Sequence, residues 1–501
     1  MLQERNKTHI ARIVAITICL LGFFLRLYFY LIDRSLWQDE ATLALNIVNR
    51  SFLELLKPLD YNQGAPIGFL FIQKAVVSTF GISDLTLRLI PLFAGLAAIP
   101  FMYYVSKLYL KGLASFISLG LFALSTQLIY YSSELKQYSS DVLMALLLLL
   151  IFPKCLEERE KHHGLIAFGI VVSLAMWISQ PTLFVSLGIY FTLGLVYAKR
   201  KEKTHLIWLI GIGGLWGINL IVNYLISLRY LATNNSLINY WNGSFAPLPP
   251  WSNFNWYYDA LFGILRNPAI LPATAITIGL LILGIVSFAL RKWQLMIVLT
   301  APFLLTLGAS ALRKYPFSGR LLLFFIPLFL LLLAEGVERV RVVLITVNKP
   351  LALIVTGSLV IYFFYNPIII ASRNILNPPM GEDIKPVMTY VSKNFLSGDL
   401  IYVYHSAEPA FEFYAPQFDF VKRSHIVGIS SRQDPSKYLQ DIDNLRGNQR
   451  VWFIFSHNCP SCGVLDEQVF ILDYLNKVGT KRGEFYSDGA SVYLYNMTDI
   501  P

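Results

Sequence analysis

Three short stretches of this 501-residue sequence gather ionisable side chains where the neighbouring chain is apolar. Leu36-Trp37-Gln38-Asp39-Glu40 holds two adjacent carboxylates. Tyr130 to Tyr138 carries Glu134 and Lys136, with Asp141 close behind, and Arg313-Lys314-Tyr315-Pro316-Phe317-Ser318-Gly319-Arg320 is a basic cluster. A carboxylate of this kind can take the proton of a hydroxyl as a general base. Arg and Lys bind phosphate, Arg through its planar donor fork. Together these are the groups needed to move something from a phosphate ester to a hydroxyl.

Each stretch also has a blander reading. Asp39 and Glu40 suit the first turn of a helix, where acids meet the positive end of the dipole. Glu134 could cap a helix at the interface, Asp141 could be a satisfied polar contact, and the basic cluster could snorkel into lipid headgroups. The choice rests on which elements carry these residues.

Composition sets those elements. The chain is 55% hydrophobic and 14% charged, against roughly a quarter charged in soluble proteins, which excludes a soluble globular enzyme. Apolar runs recur from Ile10 to Tyr365, each long enough to cross a hydrocarbon core of about 30 Å as a helix. The pattern predicts about eleven spans, near 10–31, 87–106, 112–131, 138–153, 164–178, 182–198, 205–227, 269–290, 294–311, 320–337 and 350–367. The first reads as a span and not a cleaved signal, because it is long and lacks a small-residue cleavage site.

The net charge of +10 resides in the gaps between runs. Arg5, Lys7 and Arg12 precede the first span; Lys107 and Lys111, then Lys154, Arg159 and Lys161, then Lys199, Arg200, Lys201 and Lys203, then Arg291 and Lys292, and then Arg339, Arg341 and Lys349 follow in alternate connections. That alternation fits the positive-inside rule with these gaps cytoplasmic, so the charge is topological and no nucleic-acid partner is implied. It requires segment 67–81 to lie at the outer interface without crossing. The basic cluster at 313–320 then falls on the outer side, where such charge is otherwise scarce.

After Tyr365 the composition changes. Asn377-Pro378-Pro379 and Gly381 open a polar tail whose short apolar runs, Leu400–Tyr404, Val451–Phe455 and Ser491–Tyr495, have the length of strands. The expected organisation is therefore a polytopic α-helical membrane domain, 1–370, with an interfacial helical first outer loop, followed by a small α/β soluble domain, 371–501, on the outer side. Cys459 and Cys462 form a C-x-x-C read as a local disulfide or a redox pair, too few ligands for zinc.

Carboxylates and phosphate-binding cations gathered at the outer bilayer edge suit glycosyl transfer from a lipid-phosphate sugar, and direct attack would invert the anomeric centre. The aromatic loop Ser227–Asp259, with Tyr240-Trp241-Asn242-Gly243 and Trp256-Tyr257-Tyr258, could stack on a sugar or lipid, or form an interfacial belt. A transporter or flippase of a lipid-linked sugar is the competing class. Such proteins usually show paired repeats and broken helices at the midplane, and none is evident here.

Trp37-Gln38-Asp39-Glu40-Ala41, Gln63-Gly64-Ala65-Pro66, Leu87-Arg88-Leu89-Ile90-Pro91, Ser133 through Tyr138, and Tyr315 through Arg320 followed by Leu321 and Pro327 resemble, in order, the GT-C superfamily of integral-membrane glycosyltransferases. The similar branch is the bacterial family 39-like one, related to protein O-mannosyltransferases and to the transferase that adds aminoarabinose to lipid A. The resemblance implies an outer-facing enzyme of the plasma (inner) membrane that transfers a hexosyl or pentosyl group from a polyprenyl-phosphate-linked sugar to a lipid, glycan or protein acceptor. It implies Asp39 as catalytic base with Glu40 beside it, Glu134 as the second-loop acid with Asp141 as the alternative, and Arg320 on the donor phosphate. Arg313 and Lys314 join that phosphate set, and Tyr138 and Arg88 are additional candidates. Gly64-Ala65-Pro66 departs from the acidic-basic-Pro triplet of some relatives. No cofactor is fixed by the resemblance; a divalent metal ion stays open, with Asp39 and Glu134 as its ligands if present.

Overall fold

The computed structural model describes residues 2–157, 162–420, 425–458 and 465–498, with side chains from His9 onward. Arg159, Lys161, Cys459 and Cys462 lie outside the described residues. Two compact units emerge from the contacts. The first is Met1–Ile32, Ser51–Gly81 and Leu85–Asn377; the second is Asp33–Arg50, Ile82–Asp84 and Pro378–Pro501.

The first unit is a bundle of apolar helices. Among the described residues eight are long and apolar enough to cross a membrane: His9–Leu31, Asp84–Tyr109, Tyr138–Glu157, Thr182–Arg200, Lys203–Thr233, Trp293–Ala311, Gly319–Val347 and Lys349–Leu376. Shorter apolar helices are Ile67–Phe80, Ala114–Leu124, His163–Ile178 and Ala275–Arg291. Several differ from the sequence reading. The run 112–131 breaks where Ser125 turns extended, giving Ala114–Leu124 and Thr126–Tyr131. Residues 269–274 are not helical, and Lys349–Leu376 continues straight through Asn366-Pro367. In a membrane helix, neighbours can re-satisfy the carbonyl that proline frees.

Burial sorts these helices. The apolar window of Gly319–Val347 is 94% buried, whereas those of Lys203–Thr233 and Lys349–Leu376 are 17% buried. An element hydrophobic on all sides belongs at the centre, and Ile326–Val347 packs against Ala275–Arg291, Ala114–Leu124 and Lys349–Leu376. The peripheral helices leave Ile207, Ile210, Leu215, Leu353 and Ile361 exposed, the expected outcome where the solvent is lipid.

Two glycines set the closest crossing. A Cβ on Gly284 would stand 2.0 Å from the Leu332 carbonyl oxygen, and one on Gly336 would stand 2.0 Å from that of Leu280. The two backbones therefore touch, as small residues at membrane helix interfaces permit. Beyond this crossing, buried Glu335 accepts hydrogen bonds from Ser287 Oγ at 2.6 Å and Arg339 Nε at 2.7 Å, and pairs with Arg291. Glu338 pairs with Arg341 at 2.5 Å. Arg291, Arg339 and Arg341, read from sequence as topological charge, thus also neutralise acids at the end of the buried stretch of this helix.

The second unit is built on a five-stranded mixed sheet of order β2-β1-β3-β5-β4: β1 Leu400–Val403, β2 His425–Val427, β3 Val451–Ser456, β4 Thr480–Ser487 and β5 Ala490–Asn496. β1 lies parallel to β2 and β3, while β5 runs antiparallel to both β3 and β4. The three strands visible in the sequence are the buried centre. The missed edges are three residues long (β2) or polar and bulged at Lys481/Gly483 (β4). Helix Gln38–Asn49, which follows the first apolar helix, belongs to this unit and packs on helix Glu408–Tyr414.

Gly336→Val should cost about 3 kcal/mol or more through backbone overpacking, read as a loss of monodisperse protein in detergent. Gly357→Ala, whose Cβ would meet nothing within 4 Å, should leave the yield unchanged. Equal yields from both variants would contradict the close crossing.

Candidate functional site

The candidate residues divide between the units: Asp39 and Glu40 in the second, and Arg88, Glu134, Tyr138, Asp141, Arg313, Lys314 and Arg320 in the first.

In the second unit the loop before helix Gln38–Asn49 is held by residues from the far end of the chain. Asp84 Oδ2 accepts from Lys385 Nζ at 2.8 Å and from the Tyr414 hydroxyl at 2.7 Å. That hydroxyl in turn accepts the Leu36 N–H at 2.7 Å. Lys385 Nζ also donates to the Asp33 carbonyl at 2.7 Å, and its backbone N–H donates to Ser35 Oγ at 3.1 Å, while the Ser35 hydroxyl bonds Asp383. Helix Gln38–Asn49 follows with extended Trp37 at its N-cap and no side-chain cap from that residue. The Gln38 N–H donates instead to Glu382 Oε2 at 3.0 Å.

Asp39 and Glu40 therefore occupy the first helical turn, where the dipole favours carboxylates. Their surroundings differ. Glu40 is fully buried, whereas Asp39 is half-buried, with its carbonyl accepting the Thr42 hydroxyl at 3.1 Å. Of the two residues, Asp39 is the one that retains exposure. Sequence reading found this pair from its local motif. It missed Glu382, Asp383, Lys385, Tyr414 and His457, since partners more than 300 residues away leave no local signal.

In the first unit the segment Ser132–Asp141 is polar and almost wholly buried: Glu134 is 0% exposed, Lys136 3%, Tyr138 4% and Asp141 4%. Serines pay part of this desolvation locally, Ser132 donating to the Ile129 carbonyl at 2.6 Å and Ser139 to that of Tyr131 at 2.9 Å. Lys136 Nζ donates to Gln63 Oε1 at 2.7 Å, joining this segment to the Gln63-Gly64-Ala65-Pro66 motif. The helix starts at Tyr138, so Glu134 lies in the preceding turn. A shared helical face for Glu134 and Asp141 would need an earlier start, so the two do not lie on one helix face. Asp141 falls in the first turn with the Ser179 hydroxyl nearby, and its Oδ1 has no hydrogen-bond partner among the described residues.

The basic cluster separates. The Arg320 guanidinium lies 5.8 Å from the Tyr138 ring centroid, within reach of a cation–π contact. The intervening Tyr315 packs on Phe184 with ring centroids 5.2 Å apart and donates to the Leu321 carbonyl at 2.8 Å. Burial, with Asp141 and Tyr138 nearby, pushes the Tyr315 phenol well above its usual range, so it stays a donor. Arg313 turns elsewhere: it bonds Asn242 and stands 5.6 Å from the Phe245 ring centroid, while Lys314 is exposed. Arg88 is fully buried. In the aromatic loop Trp256 Nε1 and Tyr257 donate to the carbonyls of Gly243 and Pro247, whereas Tyr240 and Trp251 remain exposed. Among the described residues no group of three or more His, Cys, Asp or Glu side chains comes together as a metal site, so no step is derived through a metal.

Residues 64–224 match the family model described as dolichyl-phosphate-mannose-protein mannosyltransferase. That match spans 161 of the 501 residues and agrees with the GT-C resemblance. No curated protein matches the sequence. The fold is similar to that of ArnT from Cupriavidus metallidurans in the apo state, with 10% identity over 97% of this chain and 98% of that chain and a TM-score of 0.54. The same protein bound to undecaprenyl phosphate matches at 10% identity over 96% and 97%, with a TM-score of 0.52. An oligosaccharyltransferase from Archaeoglobus fulgidus matches at 11% identity over 97% of this chain and 74% of that chain, with a TM-score of 0.49.

Asp84→Ala should strip the Tyr414 hydroxyl and Lys385 of their shared acceptor at a cost of about 2 kcal/mol. Hydrogen exchange at the amides of Leu36 to Asn46 should rise roughly thirtyfold. Unchanged exchange there would show that this network does not hold the loop.

Proposed function

We propose that this membrane glycosyltransferase moves a sugar from a polyprenyl-phosphate donor to an acceptor hydroxyl on the outer face of the plasma membrane, with inversion at the anomeric carbon. The observation that carries the reading is the buried polar segment Ser132–Asp141 with Arg320 against Tyr138, inside a bundle whose interior is mostly apolar. Charge is expensive at such a place and is retained where chemistry needs it.

In this reading Asp39 takes the proton of the acceptor hydroxyl as that oxygen attacks the anomeric carbon. The new C–O bond forms as the bond from the anomeric carbon to the phosphate oxygen breaks. The electron pair leaves with polyprenyl phosphate, and Arg320 stabilises the growing phosphate charge. Arg313 and Lys314 are proposed to draw the anionic donor to this side, a role that their exposure suits. Glu134 keeps a fixed negative field beside the donor path, and Glu40, fully buried, orients the helix turn that bears Asp39. One displacement by one base inverts the centre. The undecaprenyl phosphate bound by the ArnT of Cupriavidus metallidurans supports a polyprenyl carrier.

The topology belongs to the same proposal. The eight long helices together with Ala114–Leu124, His163–Ile178 and Ala275–Arg291 make about eleven crossings, with Ile67–Phe80 at the outer interface. An inside N-terminus then puts the tail domain, 371–501, outside. The acceptor, lipid, glycan or protein, is read by the loops and the tail.

Transfer of labelled sugar from the lipid-phosphate pool of membranes holding Asp39→Asn should fall by about a hundredfold or more at matched expression. Undiminished transfer would remove Asp39 as base. For topology, a cysteine at exposed Ser252 should react with an impermeant reagent from outside, and one at Lys201 should not. The reverse labelling would overturn the orientation.

A further inference from the structure

We infer that Glu382 and His457 are positioning residues for the transfer reaction, acting through the helix turn that carries Asp39; this rests on the proposed role of Asp39. The helix that carries Asp39 lacks a side-chain cap from its own N-cap residue. The first N–H groups of a helix have no partner within it, and a Ser, Thr, Asp or Asn side chain usually supplies one. Helix Gln38–Asn49 begins after Trp37, which offers none. The Glu40 and Ala41 N–H groups return to the Trp37 carbonyl, both at 2.9 Å. The Gln38 N–H is answered by the Glu382 carboxylate at 3.0 Å, across 344 residues of sequence. Glu382 thus caps the helix from a distant part of the chain, one residue before Asp39, and its charge favours the positive end of the dipole.

Glu382 is itself fixed from two sides. The other carboxylate oxygen, Glu382 Oε1, meets His457 Nδ1 at 2.6 Å. His457 directly follows β3, and its φ of +55° lies in the left-handed region. A residue with a Cβ occupies that region at a cost, which is held where surrounding structure demands it. The imidazole also stands 6.2 Å from the Trp37 ring, centroid to centroid. On the other side, the Asp383 N–H donates to the Asp488 carbonyl at 2.7 Å, and a Cβ on Gly489 would approach the Gly381 carbonyl to 2.3 Å. The turn between β4 and β5 therefore clamps the backbone on both sides of Glu382. The sheet thus fixes Glu382 twice, through His457 at the end of β3 and through the β4–β5 turn, and Glu382 fixes the turn bearing Asp39. A base moved by about 1 Å can lose a hundredfold in rate, which gives this linkage catalytic weight without contact to the reacting atoms.

The test uses the full chain in detergent or lipid discs, with the polyprenyl-phosphate-sugar extract of native membranes as donor. Glu382→Ala and His457→Ala should each lower kcat by tenfold or more, with donor KM changed less than twofold. Glu382→Gln keeps an acceptor for the Gln38 N–H and should recover at least half of the wild-type kcat. Hydrogen exchange at Gln38 to Glu40 should rise in Glu382→Ala and stay near wild type in Glu382→Gln. Arg450→Ala breaks the ion pair with Asp399 in the same sheet domain and serves as the stability control: it should lower the Tm while leaving kcat near wild type. Alanine variants with kcat within twofold of wild type, or losses equal to that of Arg450→Ala, would overturn the inference. Asp39→Asn measured alongside separates the two failures. Full transfer by Asp39→Asn overturns the base assignment and this inference with it, whereas a dead Asp39→Asn beside fully active alanine variants overturns the inference alone.

Discussion

A charge inside an apolar helix bundle has to be held by fixed partners, because neither lipid nor a tightly packed interior will solvate it. Much of the chain's polar architecture answers that need. Glu335 and Glu338 close the buried stretch of the most deeply buried helix, and each meets arginine there. Segment Ser132–Asp141 keeps its serines bonded to nearby carbonyls and its Lys136 bonded to Gln63. Ionic partners of this kind are costly and add little net stability.

The second unit meets a different difficulty. The helix bearing Asp39 is short and lacks a cap of its own. It gains its fixed direction from a network in which Asp84, Lys385, Tyr414, Ser35 and Asp383 bind the preceding loop, and Glu382 binds the first turn. The sheet, whose β1 and β3 are almost wholly buried, offers a rigid frame for such a network. Under the proposed role of Asp39, the tail would help to present that carboxylate.

Much of the membrane region was legible because hydropathy over about 20 residues needs no knowledge of partners. Its irregularities were not: Ser125 breaks one apolar run, and Pro367 fails to break another. In both cases the neighbouring helices, absent from a local reading, decide. Asp39, Glu134 and Arg320 were visible as charges out of place, whereas Glu382 and His457 carried no such signal. The β2 and β4 strands escaped for a related reason, since edge strands carry little apolar pattern. The basic cluster at 313–320 was legible as composition and misleading as geometry, for Arg313 and Arg320 serve different aromatic partners.

The central claim is a single displacement at the anomeric carbon, driven by one carboxylate. The most direct measurement is the anomeric configuration of the product, followed by NMR in one turnover of the purified protein with a polyprenyl-phosphate sugar of defined configuration. The account predicts complete inversion. Retention would require a second displacement and a covalent intermediate, and would contradict the assignment of Asp39 as base.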